Sequence, residues 1–172
     1  GLPVTPSLVR RARAAAGGTL LAARLALEHG LAGSTAGGSH HGQKATGAGF
    51  CVFNDVAIAA RALHAEGAIR RALVIDLDVH QGDGTADVLK DEPRAFTFSM
   101  HGERNYPVRK IASDLDIALP DGTGDAAYLE RLATILPELA ARARWDIVFY
   151  NAGVDVHAED RLGRLALSND GL

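Results

Sequence analysis

Two stretches in the first part of the chain carry apolar residues at helical spacing. One begins after Thr5 or Ser7, either of which can cap it, and runs through LVRRARAAAGGTLLAARLALEH to Gly30. The other, DVAIAARALHAEG, follows Asn54 as its cap and ends at Gly67. Between them, LAGSTAGGSHHGQKATGAGF is polar and rich in glycine, which predicts a loop.

Short apolar runs without a polar face alternate with the later helices. ALVIDLDV predicts a strand covered on both sides, AFTFSM a second strand and DIVFYNAG another buried strand, whereas DLDIALP predicts a short edge strand that Pro120 stops. One predicted helix ends near Lys90, and another, DAAYLERLATILPELAARA, is expected to be kinked or divided at Pro137. This alternation is typical of an α/β fold with a mainly parallel sheet.

The bulk composition excludes several classes of protein. The 172 residues are enough for one domain, and a net charge of −3 does not suit a nucleic-acid-binding protein. A single cysteine, Cys51, excludes an internal disulfide framework, and no apolar run is long enough for a membrane span. We therefore expect a cytoplasmic protein without a membrane or nucleic-acid partner. Gly1 at the start and Leu172 in SNDGL at the end suggest that residues 1–172 are a single but truncated domain.

Polar residues follow three of the predicted strands. These groups are Asp76-Asp78-His80, Ser99-His101 and Asn151-Asp155. In parallel α/β sheets, ligands bind beyond the carboxyl ends of the strands, so we expect the three groups to lie close together.

In VIDLDVHQGDGT, Asp76, Asp78 and His80 are spaced two residues apart. Because side chains alternate between the two faces of a strand, the two carboxylates and the imidazole are predicted to lie on one face. Such groups desolvate and repel one another unless a cation lies among them. Asp78 and His80 can supply two ligands of a catalytic zinc site, and Asp155 is the natural third. Fe²⁺, Co²⁺ or Mn²⁺ accept the same ligands. A solvated turn with Asp83 as a helix cap is the alternative interpretation.

His40 and His41 are adjacent in the glycine-rich GGSHHG. They are either surface histidines or a general base with a helper, because histidine titrates near neutral pH. Such a pair needs orienting carboxylates, and Asp76 and Asp83 remain for that purpose if the other aspartates bind metal.

The ordered motifs GGSHHG, GAGFCVFNDVAIA, VIDLDVHQGDGT, FTFSMHG and NAGVDVHAEDRLGRLALS resemble the zinc-dependent histone deacetylase family. That family includes acetylpolyamine amidohydrolases and acetoin-utilisation proteins, and NAGVD followed by EDRLG is most similar to its class IV branch and bacterial relatives. The resemblance implies the three-layer arginase/deacetylase fold, incomplete at the termini. It also implies hydrolysis of acylated lysine or a related acylated amine.

The resemblance also assigns residues. It implies that Asp78, His80 and Asp155 bind zinc and that His41 is the general base and acid. Asp83 would orient His41, and Asp76 would support His40 as an electrostatic partner. The implied substrate contacts are Gly49, Phe50, Tyr106 and Gly153. A structural potassium ion is implied at Asp76, Asp78 and His80 with Ser99 and Met100.

One family feature has no counterpart in the sequence. The family's oxyanion-stabilising tyrosine follows the third zinc ligand in a glycine-rich motif, whereas Tyr106, Tyr128 and Tyr150 all precede Asp155. We expect this chain alone to turn over slowly or not at all. An extended form no faster than this chain on an acyl-lysine substrate would contradict that expectation.

Three alternatives remain at this level. A ureohydrolase with two Mn²⁺ ions needs more aspartates at the strand ends than NAGVDVHAED supplies. A non-catalytic protein that binds acylated ligands at a metal pocket agrees with the missing tyrosine but not with the complete histidine pair. An acetylpolyamine amidohydrolase would use the same chemistry, although no obvious insertion narrows the entrance. The oligomeric state is not encoded in any pattern of the sequence.

Overall fold

The computed structural model describes residues 3–172. Its elements follow in the order α1 (Pro6–His29), α2 (Asp55–Ala65), β1 (Ala72–Asp76), α3 (Asp83–Leu89), β2 (Ala95–Gly102), β3 (Leu115–Leu119), α4 (Asp125–Arg142) and β4 (Ile147–Asn151). Within this range the strands form one parallel sheet in the order β3-β2-β1-β4. β3 therefore lies at an edge of the sheet, as DLDIALP predicted.

The helix caps follow from local chemistry. The Leu8 amide donates to Thr5 Oγ1 at 3.2 Å, and the Ala57 amide donates to Asn54 Oδ1 at 2.9 Å. Each cap satisfies one of the amides that the first turn leaves unpaired. Thr5 is the cap of α1, because Ser7 lies inside that helix.

Two predictions about element boundaries need correction. Pro137 does not divide α4, so that part of the prediction is wrong, whereas a kink at Pro137 stays a prediction. Proline removes one amide donor, but Tyr128, Ile135 and Leu139 bury one face of the helix and hold its two parts together. β1 ends at Asp76, so the acidic residues that follow it lie in a turn and not on a strand.

Local hydrogen bonds explain the early end of β1. The Asp78 amide donates to Asp76 Oδ1 at 3.2 Å, and the His80 amide donates to Asp78 Oδ1 at 2.8 Å. Aspartate side chains that capture nearby amides compete with a strand ladder. The chain therefore turns where the carboxylates begin.

The apolar core lies on both faces of the sheet. Adjacent residues Leu73 and Val74 point to opposite faces, as the pleat requires. Val74 packs in a cluster with α1, α2 and residues of β4, whereas Leu73 packs with β2 and α4. The sheet lies between two helical layers, which confirms the predicted three-layer α/β fold. β4 is less buried than predicted, because it ends the described sheet and Val148 and Tyr150 on one of its faces are exposed. No helix between residues 3 and 172 combines the length and apolarity that a membrane crossing needs.

The strand register brings the polar strand ends together. Asp76 of β1 pairs with Ser99 of β2 on one side and with Asn151 of β4 on the other. The predicted convergence of these groups is therefore confirmed.

Candidate active site

Asp78, His80 and Asp155 form a possible metal-binding triad beyond the carboxyl end of β1. His80 Nδ1 lies 2.9 Å from Asp78 Oδ1 and 3.0 Å from Asp155 Oδ2. One donor atom of each residue lies within 4.8 Å of the others. Ligands about 2.0–2.1 Å from a tetrahedral zinc ion lie roughly 3.4 Å from one another, close to the observed spacing. The donor set and its geometry fit a single cation.

The electrostatics of the triad favour positive charge. Hydrogen bonds to Asp155 and then to Asp78 raise the pKa of His80 to about 9. Burial alone would raise the pKa of Asp78, but the hydrogen bond with His80 holds it below its ordinary value. A proton on His80 thus occupies the position that a cation would take, and metal binding would have to displace it.

The loop after β4 places Asp155 in the triad. The Val79 amide donates to Asp155 Oδ1 at 2.9 Å, which ties this loop to the turn after β1. Gly153 allows the close approach, because a Cβ there would lie 2.6 Å from Asp78 Oδ2. Gly153 lies against Asp78 and outside the lining of the cavity described below, so its predicted contact with substrate stays a prediction.

His41 is held by a buried carboxylate. Its Nδ1 lies 2.6 Å from Asp83 Oδ1, and Asp83 Oδ2 accepts a second hydrogen bond from Gln43 Nε2 at 3.0 Å. Burial opposes ionisation, but these hydrogen bonds hold the pKa of Asp83 below its ordinary value. With Nδ1 directed at an ionised carboxylate, Nε2 is the ring nitrogen that His41 can offer to a reactant.

His40 is held in the same way by a second carboxylate. Its Nδ1 lies 2.7 Å from Asp76 Oδ2, while Asp76 Oδ1 accepts a hydrogen bond from Asn151 Nδ2 at 3.0 Å. Burial disfavours the charged imidazole, but the charge of Asp76 and its hydrogen bond outweigh burial and raise the pKa of His40 to about 9. His40 Nε2 also lies 3.7 Å from Asp78 Oδ1, which links the pair to the triad.

Asp55 anchors the loop that carries the histidines, a role that the sequence analysis missed. The Gly38 and Ser39 amides donate to its carboxylate at 3.1 and 2.7 Å, and Thr19 of α1 donates its hydroxyl. Asp55 is fully buried at the start of α2. In the sequence, Asp55 is an acidic residue in the first turn of a predicted helix. The helix dipole favours an acid at that position, so the residue did not indicate a further role. Gln43 was missed as well, although it lies two residues after His41.

A cavity of about 1010 Å³ opens above these groups. The two histidines, Asp78 and His80 line it together with Gly49, Phe50 and Tyr106. Tyr106 meets His41 edge to face, with ring centroids 4.8 Å apart, and Phe50 is 84% exposed. Three of the implied substrate contacts, Gly49, Phe50 and Tyr106, therefore border the cavity that contains the histidine pair.

Gly49 and Phe50 adopt a conformation that few residues tolerate. Their φ angles are 51° and 64°. Gly49 has little conformational cost there, and its missing Cβ leaves room for the His41 ring. Phe50 carries backbone strain of the kind that proteins retain at functional sites.

The residues implied in potassium binding also converge. Ser99 lies beside Asp76 in the sheet, and its Oγ lies 3.0 Å from His101 Nδ1 and accepts the Gly82 amide at 3.4 Å. Met100 is completely buried. A potassium ion at this position stays a prediction.

Comparison with known proteins matches the histone deacetylase domain over residues 1–172. An uncharacterized protein of Picosynechococcus sp. is 54% identical over 172 residues, which cover 100% of this chain and 57% of that protein. Histone deacetylase 2 of Arabidopsis thaliana is 36% identical over 159 residues, which cover 91% of this chain and 41% of that protein. A crystal structure of an HDAC homologue from Aquifex aeolicus matches with a TM-score of 0.87 and 28% identity, covering 98% of this chain and 49% of that one.

The chain thus spans about half the length of the relatives that it matches. The family that the motifs predicted is confirmed, whereas its class IV branch stays a prediction.

Proposed function

Because the chain belongs to the histone deacetylase family, we propose that it acts in metal-dependent hydrolysis of acetyl or longer acyl groups on lysine side chains. The observation that carries this proposal is one cavity lined by His41 together with Asp78 and His80 of the metal triad, while Asp83 orients His41 from behind. A base held 2.6 Å from its orienting carboxylate, next to a site for a cation, is an arrangement suited to activating water.

We assign Asp78, His80 and Asp155 as the ligands of a zinc ion, with Fe²⁺ as a chemically acceptable substitute. Zinc at this position would supply Lewis-acid chemistry toward the amide carbonyl and a water molecule. A structural potassium ion near Ser99, implied by the family resemblance, is a separate proposal.

His41 is the proposed proton carrier. Its Nε2 accepts a proton from the attacking water and later gives it to the leaving amine. Asp83 directs Nδ1 and stabilises the imidazolium that exists between these two transfers. His40, whose pKa of about 9 keeps it protonated at neutral pH, stabilises the negative charge that develops in the transition state.

The cavity walls position the substrate. Phe50 and Tyr106 offer aromatic surface for the methylene stem of an acylated lysine. That stem is apolar, so it displaces water from the cavity as it enters. The reacting amide is thereby brought to the buried histidines.

A fluorogenic acetyl-lysine peptide tests the proposal. Zinc-loaded chain and its His41→Ala variant are compared, with His29→Ala as the control because His29 is exposed at the end of α1. We expect the first substitution to lower kcat about 100-fold or more and the second to change nothing. Since the relatives are longer, the assay also includes the longest form that the gene encodes. Binding of the peptide without turnover in both forms would support the non-catalytic alternative.

A further inference from the structure

Two arginines stand at the outer wall of the active-site cavity. Arg104 and Arg164 both line it, and their side chains are 74% and 54% exposed. Among the described residues that line the cavity, the other charged groups are Asp78 and the histidines of the site. The mouth of the cavity therefore presents arginine and no exposed carboxylate of its own.

Asn105 fixes the positions of both arginines. It is buried, its Nδ2 donates to the Leu162 carbonyl at 2.8 Å, and its Oδ1 accepts the Arg164 amide at 3.2 Å. Lys110 Nζ donates to the carbonyls of Asn105 and Pro107, each at 2.7 Å, which holds the same loop from behind. The loops at 102–106 and 160–164 are thus joined, and one arginine of each loop lines the same cavity.

A single carboxylate, that of Asp121, lies beside the two arginines. Asp121 Oδ2 lies 3.1 Å from Arg164 Nη1 and 3.9 Å from Arg104 Nη1. Glu103 and Asp160 belong to the same loops but do not line the cavity, and Asp160 Oδ1 accepts the amides of residues 162 and 163. Two guanidinium groups that share one carboxylate leave a net positive charge at the mouth.

The direction of entry determines what meets this charge. When an acylated lysine of a protein binds, its side chain enters the cavity with the acylated end first. The peptide backbone on either side of the lysine is too large to enter. The amide then lies near His41 and the triad, while the neighbouring residues of the substrate stay at the mouth. Arg104 and Arg164 are therefore placed to contact those neighbours and not the acyl group.

Resting on the proposed function, we propose that Arg104 and Arg164 select acyl-lysines with acidic neighbours and disfavour polycationic acylated amines. Complementary charge at a rim favours encounter and fixes the substrate in register. A polyamine would carry two or more ammonium groups past the arginines and would be repelled.

Three acetyl-lysine peptides that differ only in their flanking residues test the proposal. The lysine is flanked by aspartates, asparagines or lysines, and N-acetylspermidine is a fourth ligand. Dissociation constants are measured on the zinc-loaded chain by fluorescence anisotropy or competition, and kcat/KM is measured wherever turnover is detectable. We expect the aspartate peptide to be preferred to the lysine peptide about fivefold or more, and the preference to shrink with added salt.

The double variant R104Q/R164Q should abolish or reverse this preference, because it removes both guanidinium charges and leaves the carboxylate of Asp121, which lies beside them, without a partner. Arg161→Gln is the matched control, since Arg161 is an exposed arginine of the same loop that does not line the cavity. Equal binding of the three peptides by the unaltered chain, or a preference that survives the double variant, would overturn the proposal. If no acylated ligand binds or is hydrolysed, the proposed function itself fails, and this outcome is distinct from the loss of charge preference.

Discussion

His41 and Asp83 lie 42 positions apart in sequence, yet His41 Nδ1 and Asp83 Oδ1 meet at 2.6 Å in the interior of the protein. The carboxylate begins α3, and the imidazole lies in the loop before α2. The hydrogen bond determines which ring nitrogen carries the proton, and so it determines what His41 can do.

We expect Asp83→Asn to lower kcat on an acetyl-lysine peptide about 100-fold or more, since His41 loses the partner that orients it. Zinc content should stay unchanged, because Asp83 is not part of the triad. Steady-state kinetics with elemental analysis of the same samples checks both statements. Asp87→Asn, on the same helix but outside the cavity, is the control. Equal activity of the two variants would show that the hydrogen bond does not orient a catalytic base.

The metal triad predicts a stoichiometry. After reconstitution, elemental mass spectrometry should find about one zinc or iron ion per chain, and Asp155→Ala should lose it, because two remaining ligands bind weakly. Glu159→Gln is the matched control, as Glu159 is an exposed acid of the same loop. Retention of metal by Asp155→Ala would remove Asp155 from the ligand set. Two manganese ions per chain would favour a ureohydrolase-like site.

Substitution of two glycines distinguishes the effect of backbone strain from the effect of displacing His41. Gly49 and Gly67 have φ angles of 51° and 69°, but only at Gly49 would a Cβ collide with the His41 ring. Gly67→Ala should lower the free energy of unfolding by about 1 kcal/mol through backbone strain alone, and Gly49→Ala should lower it further because its Cβ also meets the buried His41 ring. Only Gly49→Ala should also lower kcat, by about tenfold or more, because it moves the base. Urea unfolding and kinetics on both variants provide the test, and equal kcat values would contradict it.

His64 predicts a loss of stability in acid. It is buried, and neither of its ring nitrogens has a hydrogen-bond partner within the described residues. Burial lowers the pKa of His64, so the folded chain keeps it neutral where the unfolded chain, with a pKa of about 6.5, takes up a proton. The free energy of unfolding should therefore be highest above pH 6.5 and fall as the pH drops through that value toward the lower folded pKa.

His64→Leu should remove this contribution to the pH dependence and raise the free energy of unfolding at neutral pH by about 1 kcal/mol. Urea unfolding at pH 7.5 and pH 5.5 measures both effects. His29→Gln is the control, because His29 is exposed. If His64→Leu is as sensitive to acid as the unaltered chain, another group is responsible.

Local patterns predicted most of the secondary structure. The caps Thr5 and Asn54 and the apolar strand runs are properties of neighbouring residues, so a single sequence contains them. The predictions were wrong where long-range packing or side-chain hydrogen bonds outweighed local rules. α4 stays continuous at Pro137 because its buried face holds it, and β1 ends early because aspartates capture nearby amides.

By itself, the sequence determined the chemical groups of the site, their order along the chain and, through the resemblance of its motifs, the family. It also determined that the polar groups follow buried strands, because apolar runs of that length and composition form strands in the core. Nothing in the residues alone stated which acid orients which histidine.

The family resemblance implied those pairings, and only the tertiary structure shows the contacts that make them. Asp83 approaches His41 and Asp76 approaches His40 because the order β2-β1-β4 brings three loops to one edge of the sheet. The same convergence brings Asp155 next to His80, although the two residues are 75 positions apart in sequence (155 − 80). It also brings Arg104 and Arg164 next to the same carboxylate, that of Asp121. Contacts of this kind depend on how elements pack, and packing is a property of the whole fold and not of any segment.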